Sequence, residues 1–225
     1  MFEMNRIKLT VFDMAGTTVN DMVDGLPLVL KSYDDALRGQ GVEVPMEVLN
    51  AQRGRDKWTV IKELGGDKAE AIYNAFIEVL MANIGKVREI EGASETFKFL
   101  HERGVKVVAS TGFPVEIAEP MIDEFGWLRD SLIDGWICSE QVGASRPDPA
   151  MILYSMKKFK VSEPRAVMKV DDTVKGIEEG INAGAYTVGV LTGTQSIQQL
   201  SAAEPDTILR SVSEIPRHIA EKKLI

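Results

Sequence analysis

The chain has 225 residues, 44% of them hydrophobic, which is enough to bury a core in one ordinary domain or two small ones. Its 34 acidic and 26 basic residues leave a formal charge of -8, and no Lys/Arg run or basic-aromatic interleaving is present to track a nucleic-acid backbone. The single cysteine, Cys138, excludes an internal disulfide, no apolar run reaches the ~18 residues of a membrane helix, and Met1 to Leu9 lacks signal-peptide features, so a cytoplasmic protein without nucleic-acid or membrane partners is expected.

The first predicted element is the strand in "IKLTVFD", which ends on Asp13 and runs into Ala15, Gly16 and Thr17. From Met22 to about Ile90 no comparable strand follows. Apolar residues recur there at helical spacing instead, as in Leu26, Leu30, Tyr33 and Leu37, then Ile72, Phe76, Val79 and Leu80. A connection of that length is too large for a simple crossover. It predicts a helical cap domain over residues 21–90, hinged near Asn20 to Asp24 and Glu89 to Ala93, above the carboxyl ends of the strands; packing on a sheet edge is the alternative. The apolar face of its first helix has two candidate partners, the cap's own core or a second subunit in a homodimer.

Beyond the cap, "VKVVAST", "GWIC", "AVMKVDD", "YTVGVLTG" and "TILRS" read as short strands separated by helical patterns, with Cys138 as a buried structural thiol. Strands hydrophobic on both faces and alternating with helices predict an α/β fold, a Rossmann-like doubly wound parallel sheet formed by residues 1–20 and 91–225. Ligands of such sheets bind at the carboxyl ends of the strands.

Four strand ends carry polar residues that a merely structural sheet does not need. They are Asp13, then Ser110-Thr111-Gly112, then Arg146 at a loop-to-helix junction, and the adjacent carboxylates Asp171 and Asp172. Neighbouring carboxylates repel unless a cation offsets them or one serves as a helix cap. Together the four supply a carboxylate nucleophile, a hydroxyl and N-H anion site, a fixed positive charge, and oxygen ligands suited to Mg²⁺. That is equipment for phosphoryl transfer through an aspartyl-phosphate.

The order Asp-x-x-Gly-Thr, hydroxyl-Gly, basic residue, Asp-Asp, with a helical insert after the first motif, resembles the haloacid dehalogenase superfamily. The resemblance implies that Asp13 is the nucleophile, that Thr111 with Gly112 holds the phosphoryl group, and that Arg146 stabilises its charge. It further implies that Mg²⁺ is bound by Asp13, the Ala15 carbonyl and Asp172, with Asp171 orienting water or metal. Ala15, Gly16, Thr17, Gly112 and Phe113 would border a small organophosphorus substrate.

Most phosphatases of this superfamily carry a second aspartate two residues after the nucleophile as general acid and base; here that place holds Ala15. "DMAGTTV" and the arginine of "SRPDP" resemble the phosphonatase branch, in which a cap lysine in a Gly-x-x-Lys pattern forms an imine and the leaving group is carbon. "RGRDKWTVIKEL" supplies the pattern as Gly54 to Lys57, preceded by Arg53. On a helix beginning near Asp56, Lys57 shares a face with Val60, Ile61 and Leu64, where burial would favour the neutral, nucleophilic amine. The branch's methionine before that glycine is here Arg53, its histidine three places after the lysine is Val60, and its tyrosine after the hydroxyl-Gly motif is Phe113. Arg53 and Arg55 suit a larger or more anionic substrate, or a solvated helix start. The leading expectation is a Mg²⁺-dependent hydrolase that breaks the carbon-phosphorus bond of a 2-oxoalkyl phosphonate through Lys57. The alternatives are a phosphomonoesterase of the same superfamily and a non-catalytic binding or regulatory protein.

Overall fold

The computed structural model describes residues 6–225, so the first five residues of the expected core lie outside it. The uninterrupted apolar run after Lys8 forms strand β1 (Leu9–Asp13), buried along its whole length as a central parallel strand must be. Three two-residue strands follow, β2 (Val19–Asn20), β3 (Met22–Val23) and β4 (Leu26–Pro27), and then four helices: α1 (Leu28–Gly39), α2 (Met46–Ala51), α3 (Lys57–Gly65) and α4 (Ala69–Asn83). Strand β5 (Arg88–Glu89) leads back to the alternating part of the chain: α5 (Ala93–His101), β6 (Lys106–Thr111), α6 (Val115–Phe125), β7 (Gly135–Cys138), α7 (Ser139–Val142) and α8 (Ala150–Phe159). It closes with β8 (Val167–Asp171), α9 (Val174–Asn182), β9 (Tyr186–Val190), α10 (Ile197–Ala202), β10 (Thr207–Leu209) and α11 (Ile215–Lys222).

Each of the six segments read as strands is one, and they form a single parallel sheet in the order β10-β9-β8-β1-β6-β7. The chain winds outward from β1 through β6 and β7, then crosses to the other side of β1 for β8, β9 and β10. The winding therefore reverses at the β1/β8 boundary, where the carboxyl ends open a crevice. Asp13 and Asp171 end the two strands that flank it.

Alternate residues of the sheet enter different layers. Phe12, Val107, Ala109 and Val170 pack with Phe97 and Leu100 of α5 and Ile215 and Ile219 of α11, and the Phe12 and Phe97 rings meet edge to face at 5.1 Å. Leu9, Val11, Val108 and Ile137 face the other way onto Met151, Ile152 and Met156 of α8.

Within the inserted segment, α1 and α4 bury Leu30, Tyr33 and Leu37 against Ile72, Phe76 and Leu80, with the Tyr33 and Phe76 rings stacked at 4.8 Å. Leu26 departs from the helical pattern read in the sequence: it is exposed in β4, because the short β3/β4 hairpin precedes the helix. Strands β2 and β5 pair antiparallel, Val19 opposite Glu89 and Asn20 opposite Arg88, so the two connections of the insert run side by side. Glu89 fixes the second connection by accepting from Trp127 Nε1 and Ser94 Oγ, both at 2.8 Å. No helix among the described residues is long and apolar enough to cross a membrane.

Candidate active site

Sheet register brings the strand ends together. Asp13 stands beside Ser110 across the β1/β6 pair, and Thr111 follows at the end of β6. Arg146 arrives from the loop before α8, whose first turn begins after Pro149. Its guanidinium is fully buried and donates from Nη1 to Asp13 Oδ1 at 2.5 Å, from Nη2 to Ser110 Oγ at 2.9 Å and from Nε to Glu179 Oε2 at 2.9 Å. One Asp13 oxygen is thus clamped, and Oδ2 accepts no hydrogen bond among the described residues.

Behind this clamp lies a buried lysine. Lys169, on β8, places Nζ 3.0 Å from each of Ser110 Oγ, Asp171 Oδ2 and Glu179 Oε2. Glu179 of α9 therefore ties Arg146 and Lys169 together. Opposite charges of this kind offset one another's desolvation, which no member could bear alone. Lys169 and Glu179 did not emerge from the sequence reading. The available signal was a lysine two places before Asp171 in a strand buried on both faces, which puts both side chains on one side of the sheet.

The three carboxylates lie close enough to share a cation. Asp13, Asp171 and Asp172 each offer an oxygen within 4.8 Å of the others, and all three are buried. Asp172 Oδ1 accepts from Thr17 Oγ1 at 3.0 Å, while its Oδ2 is buried without a hydrogen-bond partner; Asp171 Oδ2 faces Lys169 Nζ at 3.0 Å. Clustered hard oxygens with orphaned lone pairs fit a hard divalent cation. Burial pushes the Asp172 carboxyl well up, and the charges of Asp13, Asp171 and Asp21 add to this against the pull of Arg53. Burial likewise raises Asp13, with Asp171 adding and Arg146 and Lys169 opposing. Asp171 goes the other way: Lys169, Arg146 and Thr173 outweigh its burial and hold it below the ordinary value.

The remaining expected residues fall in two groups. Asp13, Ala15, Arg53, Gly54, Lys57, Thr111, Gly112, Phe113 and Arg146 line one cavity together with Val29, and its free space is about 10 Å³, room for about one water. Gly16 and Thr17 are not part of that lining and pack on Asp172, where a Cβ at Gly16 would collide with the carboxylate. The Ala15 carbonyl, expected to face a metal, accepts from Arg53 Nη2 at 3.0 Å. Thr111 Oγ1 accepts from the Phe113 N-H at 3.1 Å, which shapes the loop after β6.

Lys57 is the first residue of α3, whose N-cap Asp56 accepts from the Thr59 N-H at 2.7 Å. Val60 and Ile61 are buried on its face and Leu64 is half-buried against the same cluster. The lysine points away from solvent, with Nζ donating to the Arg55 carbonyl at 2.9 Å and lying 5.3 Å from the Phe113 ring centroid. Burial lowers its pKa to about 8, with Arg146 and Arg53 adding to the effect and Asp13 opposing. Gly112 lets the two parts approach so closely, since a Cβ there would strike the Arg55 carbonyl and lie 3.1 Å from that of Gly54.

This fold and site define a class. The haloacid dehalogenase-like hydrolase family profile matches residues 7–184, and the chain belongs to that family of hydrolases. Within it, the chain is similar to the phosphonoacetaldehyde hydrolase of Bordetella pertussis, 31% identical over an alignment of 206 positions that covers 83% of this chain and 73% of that one. A phosphonoacetaldehyde hydrolase of Hahella chejuensis is 29% identical, covering 87% of this chain and 72% of its own length. Among solved structures, a phosphonoacetaldehyde hydrolase-like protein from Oleispira antarctica superposes with a TM-score of 0.85 at 22% identity, covering all of this chain and 96% of that one.

Proposed function

We propose that the chain is a Mg²⁺-dependent hydrolase that breaks the carbon-phosphorus bond of a small 2-oxoalkyl phosphonate, with Asp13 as nucleophile and Lys57 as imine-forming amine. One observation carries this reading: Ala15, which cannot protonate a leaving oxygen, lines the same cavity as a buried Lys57 whose pKa falls to about 8. The names of the relatives support it. So do three buried carboxylates that fit a hard cation; when bound, Mg²⁺ would be held by Asp13, Asp171 and Asp172 and would offset negative charge at phosphorus.

The chemistry then balances as follows. The neutral Lys57 amine adds to the substrate carbonyl, one proton is taken up from solvent and water leaves, giving an iminium. Asp13 attacks phosphorus; the P–C bond breaks and its electron pair passes into the iminium, leaving an enamine on Lys57 and a phosphoryl group on Asp13. Arg146 and the Thr111-Gly112 loop hold the phosphoryl oxygens. Protonation of the enamine carbon and hydrolysis of both adducts return the two side chains, release the dephosphonylated carbonyl compound and inorganic phosphate, and consume one water overall.

Borohydride reduction in the presence of phosphonoacetaldehyde tests the reading. A mass increment on Lys57, together with phosphate release that is lost in Lys57→Ala, is the expected result. Turnover of simple phosphate esters that survives Lys57→Ala, with no adduct on any phosphonate, would replace it with the phosphomonoesterase reading.

A further inference from the structure

We infer that Arg53 is a second anion-binding position, and that the substrate carries a carboxylate on its carbonyl carbon: a 3-phosphono-2-oxoalkanoate rather than a phosphonoaldehyde. The inference rests on the carbon-phosphorus reading above and specifies its substrate.

Arg53 lies in the loop between α2 and α3 and is 2% exposed. Its Nη2 donates to the Ala15 carbonyl at 3.0 Å and stands 3.5 Å from Asp21 Oδ1, a long contact for a charged pair. Asp172 Oδ2 is further still, at 3.9 Å. Nη1 is buried with no partner at all. An arginine brings five donors in a rigid fork, and leaving one desolvated and unpaired is costly unless something arrives to accept from it.

The cavity has three cationic lining residues, Arg53, Lys57 and Arg146. Arg146 is committed to Asp13, Ser110 and Glu179. Lys57 must be neutral to add to a carbonyl. Of the three, Arg53 alone has a nitrogen with no hydrogen-bond partner among the described residues, four residues before the amine that would hold the carbonyl carbon. A phosphonyl group seated on Asp13, Thr111 and Arg146, with its carbonyl at Lys57, leaves Val29 and Arg53 to meet whatever else that carbon bears. Hydrogen in that place leaves Nη1 unpaired, whereas a carboxylate accepts from it. A site built to bond a polar group discriminates strongly against the analogue that lacks it. The reaction keeps its balance: 3-phosphono-2-oxopropanoate and one water give the 2-oxo acid and inorganic phosphate.

The test compares phosphonoacetaldehyde with 3-phosphono-2-oxopropanoate as substrates of the Mg²⁺-loaded protein, reading released phosphate. Wild type should favour the carboxylated substrate in kcat/KM by about 10²-fold, and Arg53→Met should collapse that ratio, chiefly through KM on the carboxylated substrate. Preference of the wild type for the aldehyde, which needs no variant to observe, overturns the inference and leaves the carbon-phosphorus reading standing. So does a substrate ratio that Arg53→Met leaves unchanged. Phosphate release from neither compound overturns both.

Discussion

Lys57 Nζ and the Phe113 ring centroid are 5.3 Å apart, one on the inserted segment and the other on the loop after β6. The contact exists only with the insert seated on the sheet, and it takes the amine out of water. Because the neutral amine is the attacking form, kcat/KM for a carbonyl-bearing phosphonate should rise with pH and level above about 8. A pH-rate profile of the wild type checks this, and Lys57→Arg, permanently charged, should remove the activity.

The same shift predicts a stability effect of opposite appearance. The pKa of Lys57 lies below its ordinary 10.5 when folded, so the unfolded chain binds this proton more tightly. Lys57 therefore costs stability below about pH 8, and the cost fades as pH climbs to the ordinary value. Lys57→Met should be more stable than wild type at pH 7 by up to about 3 kcal/mol, a gap that closes in alkaline solution. Urea denaturation at two pH values measures it.

Ala15→Asp would place a carboxyl on the cavity lining two residues after Asp13, the proposed nucleophile. It should confer hydrolysis of alkyl phosphate esters at least ~10²-fold above wild type, the usual worth of a general acid. It should also slow carbon-phosphorus cleavage, because a nearby negative charge favours the Lys57 ammonium. Paired assays of an ester and a phosphonate check both effects; an unchanged ester rate would mean that Ala15 does not mark the leaving-group side.

Glu179 is the shared counter-charge of Arg146 and Lys169, at 2.9 and 3.0 Å. Glu179→Gln removes that charge and should destabilise the protein by on the order of 3 kcal/mol. The surviving folded fraction should have lower kcat, since Arg146 loses the partner that aims it at Asp13. Denaturant titration and single-turnover rates separate the two losses.

Gly112→Ala should keep the sheet intact while preventing the insert from seating, because its Cβ meets the Arg55 and Gly54 carbonyls. A melting temperature within a few degrees of wild type, with kcat/KM reduced at least about tenfold, is the expected pair of readouts. A full loss of folding would place the contact in the sheet's own stability instead.

The strand ends were legible in the sequence because a parallel sheet buried on both faces has little use for Asp13, Thr111 or Asp171 except at its carboxyl edge. Lys57 was legible through its helical neighbours Val60 and Ile61. Lys169 and Glu179 were not, since a lysine in a strand and a glutamate beside Gly180 gain meaning only from partners far along the chain: Arg146 and Glu179 are 33 residues apart, and Arg146 and Asp13 are 133 apart. Arg53 read equally well as a solvated helix start. Its burial comes from tertiary closure onto Ala15 and Asp21, which local pattern does not encode.

The pairing of β2 with β5 has an engineering meaning. Because Asn20 and Arg88 sit opposite each other, everything between them leaves and rejoins the sheet at one point, as a hairpin loop would. The sheet then bears little of the chain-closure entropy of the excursion, whatever its length. Residues 21–87 are thus positioned as an exchangeable cassette, and a different insert spliced between Asn20 and Arg88 would inherit the carboxylate-bearing end of the sheet while bringing its own side chains to the crevice.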